Sequence, residues 1–337
     1  MAAADGLELP AELPLILDAL SAAGSLTRAA QRGLVSGNIA TKVDGSIVTI
    51  ADYASQALVN HLMARSGVVV PAVIAEESAE SLASERGLVD DVVALLRTNG
   101  WPDATARAVL DAIDLAAAPK DRAPAVYYTI DPIDGTKGFA AGRQYAVCLA
   151  RIEHARCTLA ALACPNLSPI AGDPIDPSTG TGTLFAATDG SPLLTAPLAD
   201  PTALRVIPRR PPGDIANPII TFSFEPSEAR VRNFEALAAI LGGALRTPAD
   251  SQVKYAMVAR AQADAYFRPP RGAREKVWDH AAGCLLLERA GCTVSDLKGE
   301  PLRWEAPSLP PHSGILGAPP LLHARILAAV DWIIPHA

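Results

Sequence analysis

The sequence has few aromatic residues, no long apolar run and no excess of basic residues. Aromatic side chains make up 5% of the 337 residues, so alanine, leucine and valine must fill most of a core. Charged residues interrupt the apolar runs, as Arg151 and Arg156 do in one of the richest, so no stretch spans a bilayer. The net charge of −7 argues against nucleic acid as the main partner, because a surface that binds nucleic acid is basic.

Signals for secretion, targeting and repetition are also absent. Five cysteines, an odd number without short paired spacings, do not make the disulfide framework of a small secreted domain. The first residues carry Asp5, Glu8 and Glu12 but no arginine, unlike a transit peptide, and no signal-peptide pattern opens the chain. No period of about 20–50 residues repeats, which disfavours solenoids and propellers. We therefore expect a soluble, cytoplasmic, monomeric protein that binds neither membranes nor nucleic acids.

What is present is the composition of a folded chain with room for about two domains, since half of the residues are apolar and 19% are charged. Apolar spacing predicts helices at residues 13–20, 53–65, 88–97, 103–115, 227–241, 251–263, 278–290 and 320–334. Apolar runs predict strands at residues 68–75, 126–131, 144–152, 157–163, 218–224 and 265–268. Glycine and proline crowd residues 165–213, which places a boundary near residue 203 between an α+β domain (1–203) and an α/β domain (204–337). The alternation favours a layered α/β arrangement.

The segment Asp131-Pro132-Ile133-Asp134-Gly135-Thr136 is the most informative part of the sequence. Two carboxylates three residues apart follow an apolar strand, and Pro132 and Gly135 permit a tight turn that can aim both at one point. Carboxylate oxygens are the hard ligands that Mg²⁺ requires, and Thr136 opens a helix whose free N–H groups suit a phosphate. The alternative is an acidic turn that only caps a helix.

Further carboxylates lie at the ends of predicted elements. Glu76 and Glu77 follow a predicted strand, and Asp52 ends a Thr-x-x-Asp capping box that Thr49 begins. Asp279 precedes three small residues, where it either serves a site or stabilises the start of a helix. Each of these carboxylates is ambiguous by itself.

As a set, the motifs resemble the lithium-sensitive, magnesium-dependent phosphatase superfamily that includes inositol monophosphatase. The matching segments are Glu76-Glu77-Ser78, Asp131 to Thr136, and Trp278-Asp279-His280-Ala281-Ala282-Gly283, in the order and approximate spacing of that family. The resemblance covers nearly the whole chain. It implies a layered αβαβα sandwich with the inositol monophosphatase-like fold, in which the first domain binds metal and the second contacts the substrate.

Other segments are similar to one branch, the 3′(2′),5′-bisphosphate nucleotidases. They are Lys137-Gly138-Phe139, Gln144 to Leu149, Cys164 to Leu167, Asp250 to Tyr255 and Glu275 to His280. The resemblance implies hydrolysis of the 3′-phosphate of adenosine 3′,5′-bisphosphate to AMP, and the same cleavage of 3′-phosphoadenylyl sulfate within sulfur metabolism. No Gly-x-Ser-x-Gly, Walker loop or His-Glu-x-x-His motif points to a different chemistry.

The resemblance also assigns roles to residues. It implies up to three Mg²⁺ ions, held by Glu76, Asp131 and the Ile133 carbonyl, by Asp131, Asp134 and Asp279, and by Glu76 and Asp52. Thr136, oriented by Asp52, would help to activate the attacking water, and Li⁺ and possibly Na⁺ would inhibit. The resemblance also implies that the substrate is contacted by Gly135, Thr136, Ser251, Lys254, Arg268 and Asp279. The spacing of Ser251 and Lys254 predicts that both lie on one helical face near an N-terminus.

Two departures from the branch concern the nucleotide. Glu228 stands where a histidine is usual, and the loop at residues 269–277 is short, with Ala273 where an aromatic residue is common. They leave open an inositol polyphosphate 1-phosphatase or an enzyme with both substrates. A sensor that binds adenosine bisphosphate without hydrolysing it is a further alternative, against which the complete set of acidic residues speaks.

Overall fold

The computed structural model describes residues 2–4, 6–33, 39–41, 47–85, 87–119, 122–175, 181–270, 274–310 and 314–334. The helices of these residues are α1 (Glu12–Arg32), α2 (Ile50–Arg65), α3 (Ala79–Ser84), α4 (Leu88–Thr98), α5 (Ala106–Ile113), α6 (Thr136–Ala140), α7 (Glu228–Ile240), α8 (Val253–Ala259), α9 (Ala281–Arg289) and α10 (Pro320–Ile333). In the described parts of the chain, no helix combines the length and apolarity needed to cross a membrane.

The strands form a large sheet, a smaller sheet and one short hairpin. They are β1 (Ala2–Ala3), β2 (Ile39–Thr41), β3 (Ile47–Thr49), β4 (Val73–Ala75), β5 (Val126–Asp134), β6 (Ala146–Glu153), β7 (Arg156–Cys164), β8 (Thr183–Thr188), β9 (Leu193–Pro197), β10 (Arg205–Ile207), β11 (Ile219–Phe222), β12 (Leu245–Pro248), β13 (Ala265–Arg268), β14 (Thr293–Ser295) and β15 (Ile315–Ala318).

The large sheet has eight strands in the order β1-β10-β9-β8-β7-β6-β5-β4. All neighbours are antiparallel except β4 and β5, which run parallel. The smaller sheet has five strands in the order β12-β11-β13-β15-β14, of which β12, β11 and β13 are parallel. Acidic motifs therefore end β4 and β5, two neighbouring strands of the large sheet.

Helices cover both sheets, which gives five layers. Helix α1 packs on one face of the large sheet, with α2 beside it against β5. Helix α9 contacts β7 and β8, and α8 contacts β11 and β13, so these two helices lie between the sheets. Helices α7 and α10 pack together over the apolar side chains of β11 and β15, on the outer side of the small sheet. The layered αβαβα architecture implied by the sequence is confirmed.

Most predicted elements are present, but their ends differ for local reasons. The predicted strand at 68–75 is reduced to β4, because Pro71 has no N–H for a ladder and Val69 is 79% exposed. The predicted helix at 278–290 starts only at Ala281. The predicted strands at 144–152 and 157–163 are present as β6 and β7, which form a hairpin in which Glu153 pairs with Arg156.

Three strands are missing from the prediction for residues 165–213. β8 is buried at every position because α1 and α9 cover its two faces, so it lacks the alternation that marks a half-exposed strand. β10, just beyond the predicted boundary at residue 203, pairs with β9 and so extends the large sheet. The division into two domains remains a prediction.

Candidate active site

The acidic turn from Asp131 to Thr136 begins inside β5 and leads into α6. Between Asp131 and Asp134 the register with β6 shifts by one residue, which marks a β-bulge. Pro132 lies in this bulge. A proline has no N–H to donate, but a bulge position lies outside the regular hydrogen-bond ladder, so no ladder hydrogen bond is lost. A bulge bends a strand and changes the direction of its side chains, which brings both carboxylates to the end of the sheet.

Three carboxylates from distant parts of the chain meet at this turn. Asp131, Asp134 and Asp279 each bring an oxygen within 4.8 Å of the other two. Burial, followed by the neighbouring carboxylates of Glu76, Asp134 and Asp279, raises the pKa of Asp131 well above its ordinary value. Burial and the charge of Asp279 raise the pKa of Asp134 to about 7. Such a cluster of hard oxygen donors, held together against its own repulsion, fits a divalent cation.

The two glutamates after β4 point in different directions. A hydrogen bond joins the carboxyl group of Glu76 to Asp131, so Glu76 belongs to the acidic cluster. Glu77 is 5% exposed, its backbone exchanges hydrogen bonds with the Gln56 side chain, and its carboxylate contacts the hydroxyl of Tyr53. The structure therefore brings Glu76, and not Glu77, to the predicted metal ligands.

Asp52 joins the start of α2 to the acidic turn. One carboxylate oxygen, Oδ2, accepts hydrogen bonds from the backbone N–H and the hydroxyl of Thr49, so the predicted capping box is present. The other oxygen, Oδ1, lies 3.5 Å from the Thr136 hydroxyl, which also donates to the Ile133 carbonyl at 3.2 Å. Asp52 is 1% exposed. The cap and the candidate catalytic contact are thus two functions of the same carboxylate.

A close contact joins the acidic turn to the second half of the chain. Gly135 has φ +94°, and a Cβ atom there would lie 2.9 Å from Cβ of Ser251. Asp134 accepts a hydrogen bond from the backbone N–H of Gln252. Ser251 has φ +65° and precedes α8, so the expectation that Ser251 and Lys254 share a helical face is wrong. The close approach of Ser251 to Gly135 and the hydrogen bond from Gln252 to Asp134, rather than helical spacing, bring this segment to the site.

A cleft of about 260 Å³ opens beside the cluster and reaches basic side chains from the second half of the chain. Among the residues around it are Asp134, Gly135, Ser251, Lys254, Arg268 and Asp279. Burial, followed by the guanidinium of Arg268, lowers the pKa of Lys254 to about 7. Six of the predicted site residues, both acidic and basic, therefore surround one cleft.

Arg268 is held by a carboxylate that the sequence prediction left without a role. Arg268 donates from Nε to Glu275 Oε1 at 2.9 Å and from Nη2 to Oε2 at 2.5 Å. Burial raises the pKa of Glu275, but the hydrogen bonds with His280 and Arg268 outweigh it and hold that pKa well below its ordinary range. The second oxygen also lies 3.2 Å from His280 Nε2, while His280 Nδ1 lies 2.9 Å from the Tyr255 hydroxyl. Only its place in a motif beside Asp279 could have marked Glu275 in the sequence.

One of the two departures from the nucleotidase pattern lies away from these contacts. Glu228 starts α7, its side chain is 94% exposed, and it pairs with Arg232 at 3.5 Å. It is not among the described residues that line the cleft. Ala273, in the shortened loop, lies outside the described residues.

The comparison with protein families agrees with this geometry: residues 17–334 match the model of the inositol monophosphatase family. The chain belongs to that family. A 3′(2′),5′-bisphosphate nucleotidase of Emericella nidulans is 32% identical over 324 residues, which cover 87% of this chain and 90% of the relative. One from Oryza sativa is 33% identical over 353 residues, covering 98% and 96%.

A solved structure supports the fold of this family member. The extragenic suppressor protein suhB of Bartonella henselae superposes with a TM-score of 0.64 over 97% of this chain and all of its own, at 16% identity. At this identity the likeness concerns the fold. The inositol monophosphatase-like fold expected from the motifs is confirmed.

Proposed function

We propose that the chain is a magnesium-dependent 3′(2′),5′-bisphosphate nucleotidase that hydrolyses the 3′-phosphate of adenosine 3′,5′-bisphosphate to AMP. The same cleavage would convert 3′-phosphoadenylyl sulfate to adenylyl sulfate, and Li⁺ would inhibit both reactions. Relatives of this name at 32–33% identity over most of the chain support the substrate class. The family supports a phosphatase.

One observation carries the proposal: the acidic cluster and an aromatic cavity open onto the same basic side chains. A small cavity adjoins the cleft and shares Lys254, Tyr266 and Arg268 with it. Phe222 and Phe234 line this cavity and meet edge to face at 5.4 Å. A base can stack on aromatic rings, whereas a polyol bisphosphate offers no π-face to them. This favours a nucleotide over an inositol phosphate.

The acidic residues fit the metal ions that the family implies. Asp131, Asp134 and Asp279, with Glu76 hydrogen-bonded to Asp131, supply the oxygen ligands. Divalent ions, when bound, supply positive charge that favours the deprotonation of water and offsets the charge on the phosphoryl oxygens. The raised pKa values of Asp131 and Asp134 reflect how strongly the site favours added positive charge.

The chain's own groups position the nucleophile and the substrate. The Thr136 hydroxyl has one proton and two acceptors, Asp52 Oδ1 and the Ile133 carbonyl. It can donate to either and still accept a hydrogen bond from a water, which orients that water towards the phosphorus. Lys254 and Arg268 would bind the 5′-phosphate and so fix the distance from it to the 3′-phosphate.

The test is release of inorganic phosphate from adenosine 3′,5′-bisphosphate with Mg²⁺, with and without Li⁺, beside inositol 1,4-bisphosphate. We expect fast, lithium-sensitive release from the nucleotide. Release only from the inositol substrate would contradict the nucleotide assignment. Binding of the nucleotide without release of phosphate would support the alternative of a sensor that does not hydrolyse it.

The metal assignment has its own test. Asp279→Asn removes one of the three converging carboxylates and is expected to abolish turnover while the thermal unfolding transition persists. Asp111→Asn is the control, because its carboxylate only pairs with Arg107 at the surface. Turnover of Asp279→Asn at the wild-type rate would overturn the assignment.

A further inference from the structure

Arg143 connects the acidic turn to two loops of the second half of the chain, and neither the motifs nor the proposed reaction uses it. Its Nη2 lies 2.9 Å from Glu225 Oε1, and its Nε lies 3.2 Å from Asp250 Oδ2. Its guanidinium carbon lies 5.1 Å from the centre of the Phe224 ring. One side chain thus contacts three residues from two separate loops.

The backbone of Arg143 is fixed in the first half of the chain. Its N–H donates to the Gly138 carbonyl at 2.8 Å, which ties it to α6. Its own carbonyl accepts hydrogen bonds from the Gln31 side chain at 3.1 Å and from the Asn166 side chain at 2.9 Å. The guanidinium therefore extends from a rigid base, and its contacts restrain the loops rather than the reverse.

Both contacted loops form the walls of the substrate cleft. Asp250 and Ser251 line the cleft beside the acidic cluster, and Ser223, next to Phe224, lines both this cleft and the aromatic cavity. The loops are also joined to each other, since the Ala249 N–H donates to the Phe222 carbonyl at 2.8 Å. A restraint on either loop is passed to the other.

The positive charge of Arg143 also acts at the wall of the cleft. Asp250 has a side chain 18% exposed beside the cleft, where its negative charge opposes a phosphate. Arg143 offsets that charge. The 3.2 Å contact between Nε and Oδ2 lacks hydrogen-bond geometry although both atoms are buried, so it acts as an electrostatic contact. The pair with Glu225 is 72% exposed on the glutamate side and contributes little by itself.

We propose that Arg143 is a positioning residue for substrate binding: it holds loops 223–225 and 249–251 against the acidic turn and neutralises Asp250 at the edge of the cleft. The expected effect on kinetics rests on the proposed nucleotidase activity, whereas the restraint on the loops does not depend on it. Arg143 lies outside the acidic cluster, so its removal affects binding of the substrate more than the chemical step.

The first measurement is amide hydrogen exchange of the free protein, which needs no activity. Arg143→Ala is expected to speed exchange in the segments 222–226 and 249–252 by about tenfold. Arg107→Ala removes a surface ion pair on α5 and serves as the control, with exchange in both segments unchanged. Unchanged exchange in Arg143→Ala would overturn the proposal whatever the enzyme hydrolyses.

The second measurement is steady-state kinetics with adenosine 3′,5′-bisphosphate. Arg143→Ala is expected to raise KM about tenfold while kcat changes less than twofold. Arg143→Lys keeps the positive charge but lacks the planar guanidinium, so its KM should lie between those of Arg143→Ala and the wild-type protein. An equal fall of kcat and kcat/KM in Arg143→Ala would overturn the positioning role. Failure of the wild-type protein to release phosphate would contradict the proposed function instead, and the exchange experiment would still decide whether Arg143 holds the loops.

Discussion

Gly135 is the point at which the backbone of the acidic turn meets the second half of the chain, so Gly135→Ala tests whether this contact supports the site. The added methyl group meets two penalties. At φ +94° an alanine is strained, which costs about 1–2 kcal/mol. Its Cβ would also lie 2.9 Å from Cβ of Ser251, and pushing two packed segments apart costs about 1–3 kcal/mol. We expect a loss of about 2–5 kcal/mol in the free energy of unfolding.

Gly142→Ala is a matched control at the other end of α6. Gly142 also has a positive φ, +72°, but a Cβ there meets nothing within 4 Å. It should therefore show the backbone strain without the steric clash. A second variant, Gly135→Ala combined with Ser251→Gly, removes the clashing atom and should recover the steric part of the loss.

The assays are urea unfolding followed by fluorescence and phosphate release from the bisphosphate nucleotide. A shift of Asp134 relative to Lys254 and Arg268 by about 1 Å should lower kcat/KM about 100-fold in Gly135→Ala. Gly142→Ala should retain kcat/KM within about threefold. If Gly135→Ala and Gly142→Ala agree in both stability and kcat/KM, the contact between Gly135 and Ser251 does not hold the site together.

Two further predictions follow from the buried charges. In EDTA, Asp134 keeps its proton to a higher pH in the folded chain, where its pKa is about 7, than in the unfolded chain, where it is about 4, so the stability that it contributes is lost as the pH rises from 5 to 8. The unfolding midpoint of the wild-type protein should therefore fall relative to that of Asp134→Asn over this range, and Mg²⁺ should remove this relative fall. A relative rise in EDTA would contradict the prediction. For Lys254, only the ammonium form attracts phosphate, so KM for the nucleotide should rise above pH 7, and Lys254→Met should give a high KM that varies little with pH. A KM of the wild-type protein that is flat from pH 6 to 9 would exclude that role for Lys254.

The sequence predicted the site better than it predicted the sheets. Asp131, Asp134 and Asp279 were recognisable because metal chemistry restricts a position to carboxylates, and these lie in short motifs that resemble a family. β8 and β10 were not recognisable, because glycine and proline surround them and burial of β8 on both faces removes the periodicity on which strand prediction depends.

Contacts between distant segments were out of reach for a different reason. The positive φ of Ser251 and its approach to Gly135 depend on how the two halves of the chain pack, and no local pattern encodes that packing. The same holds for Arg143, whose partners follow it by about 80 and 110 residues and whose own neighbourhood reads as an exposed turn after α6. Residue type restricts what a group can do, whereas its partner is set by the tertiary fold.

The buried charges explain why the acidic and the basic residues of the cleft should be coupled in binding. Asp134 and Lys254 each lower the cost of the other's charge, since the ammonium lowers the pKa of Asp134 and the carboxylate raises that of Lys254. A cation bound at Asp134 compensates the charge of that carboxylate, so Lys254 has less negative charge nearby and attracts an anionic phosphate more strongly. If the phosphate binds first, it compensates the charge of Lys254, and Asp134 then attracts the cation more strongly. Coupling of this kind is reciprocal, so the metal and the nucleotide should each tighten the binding of the other.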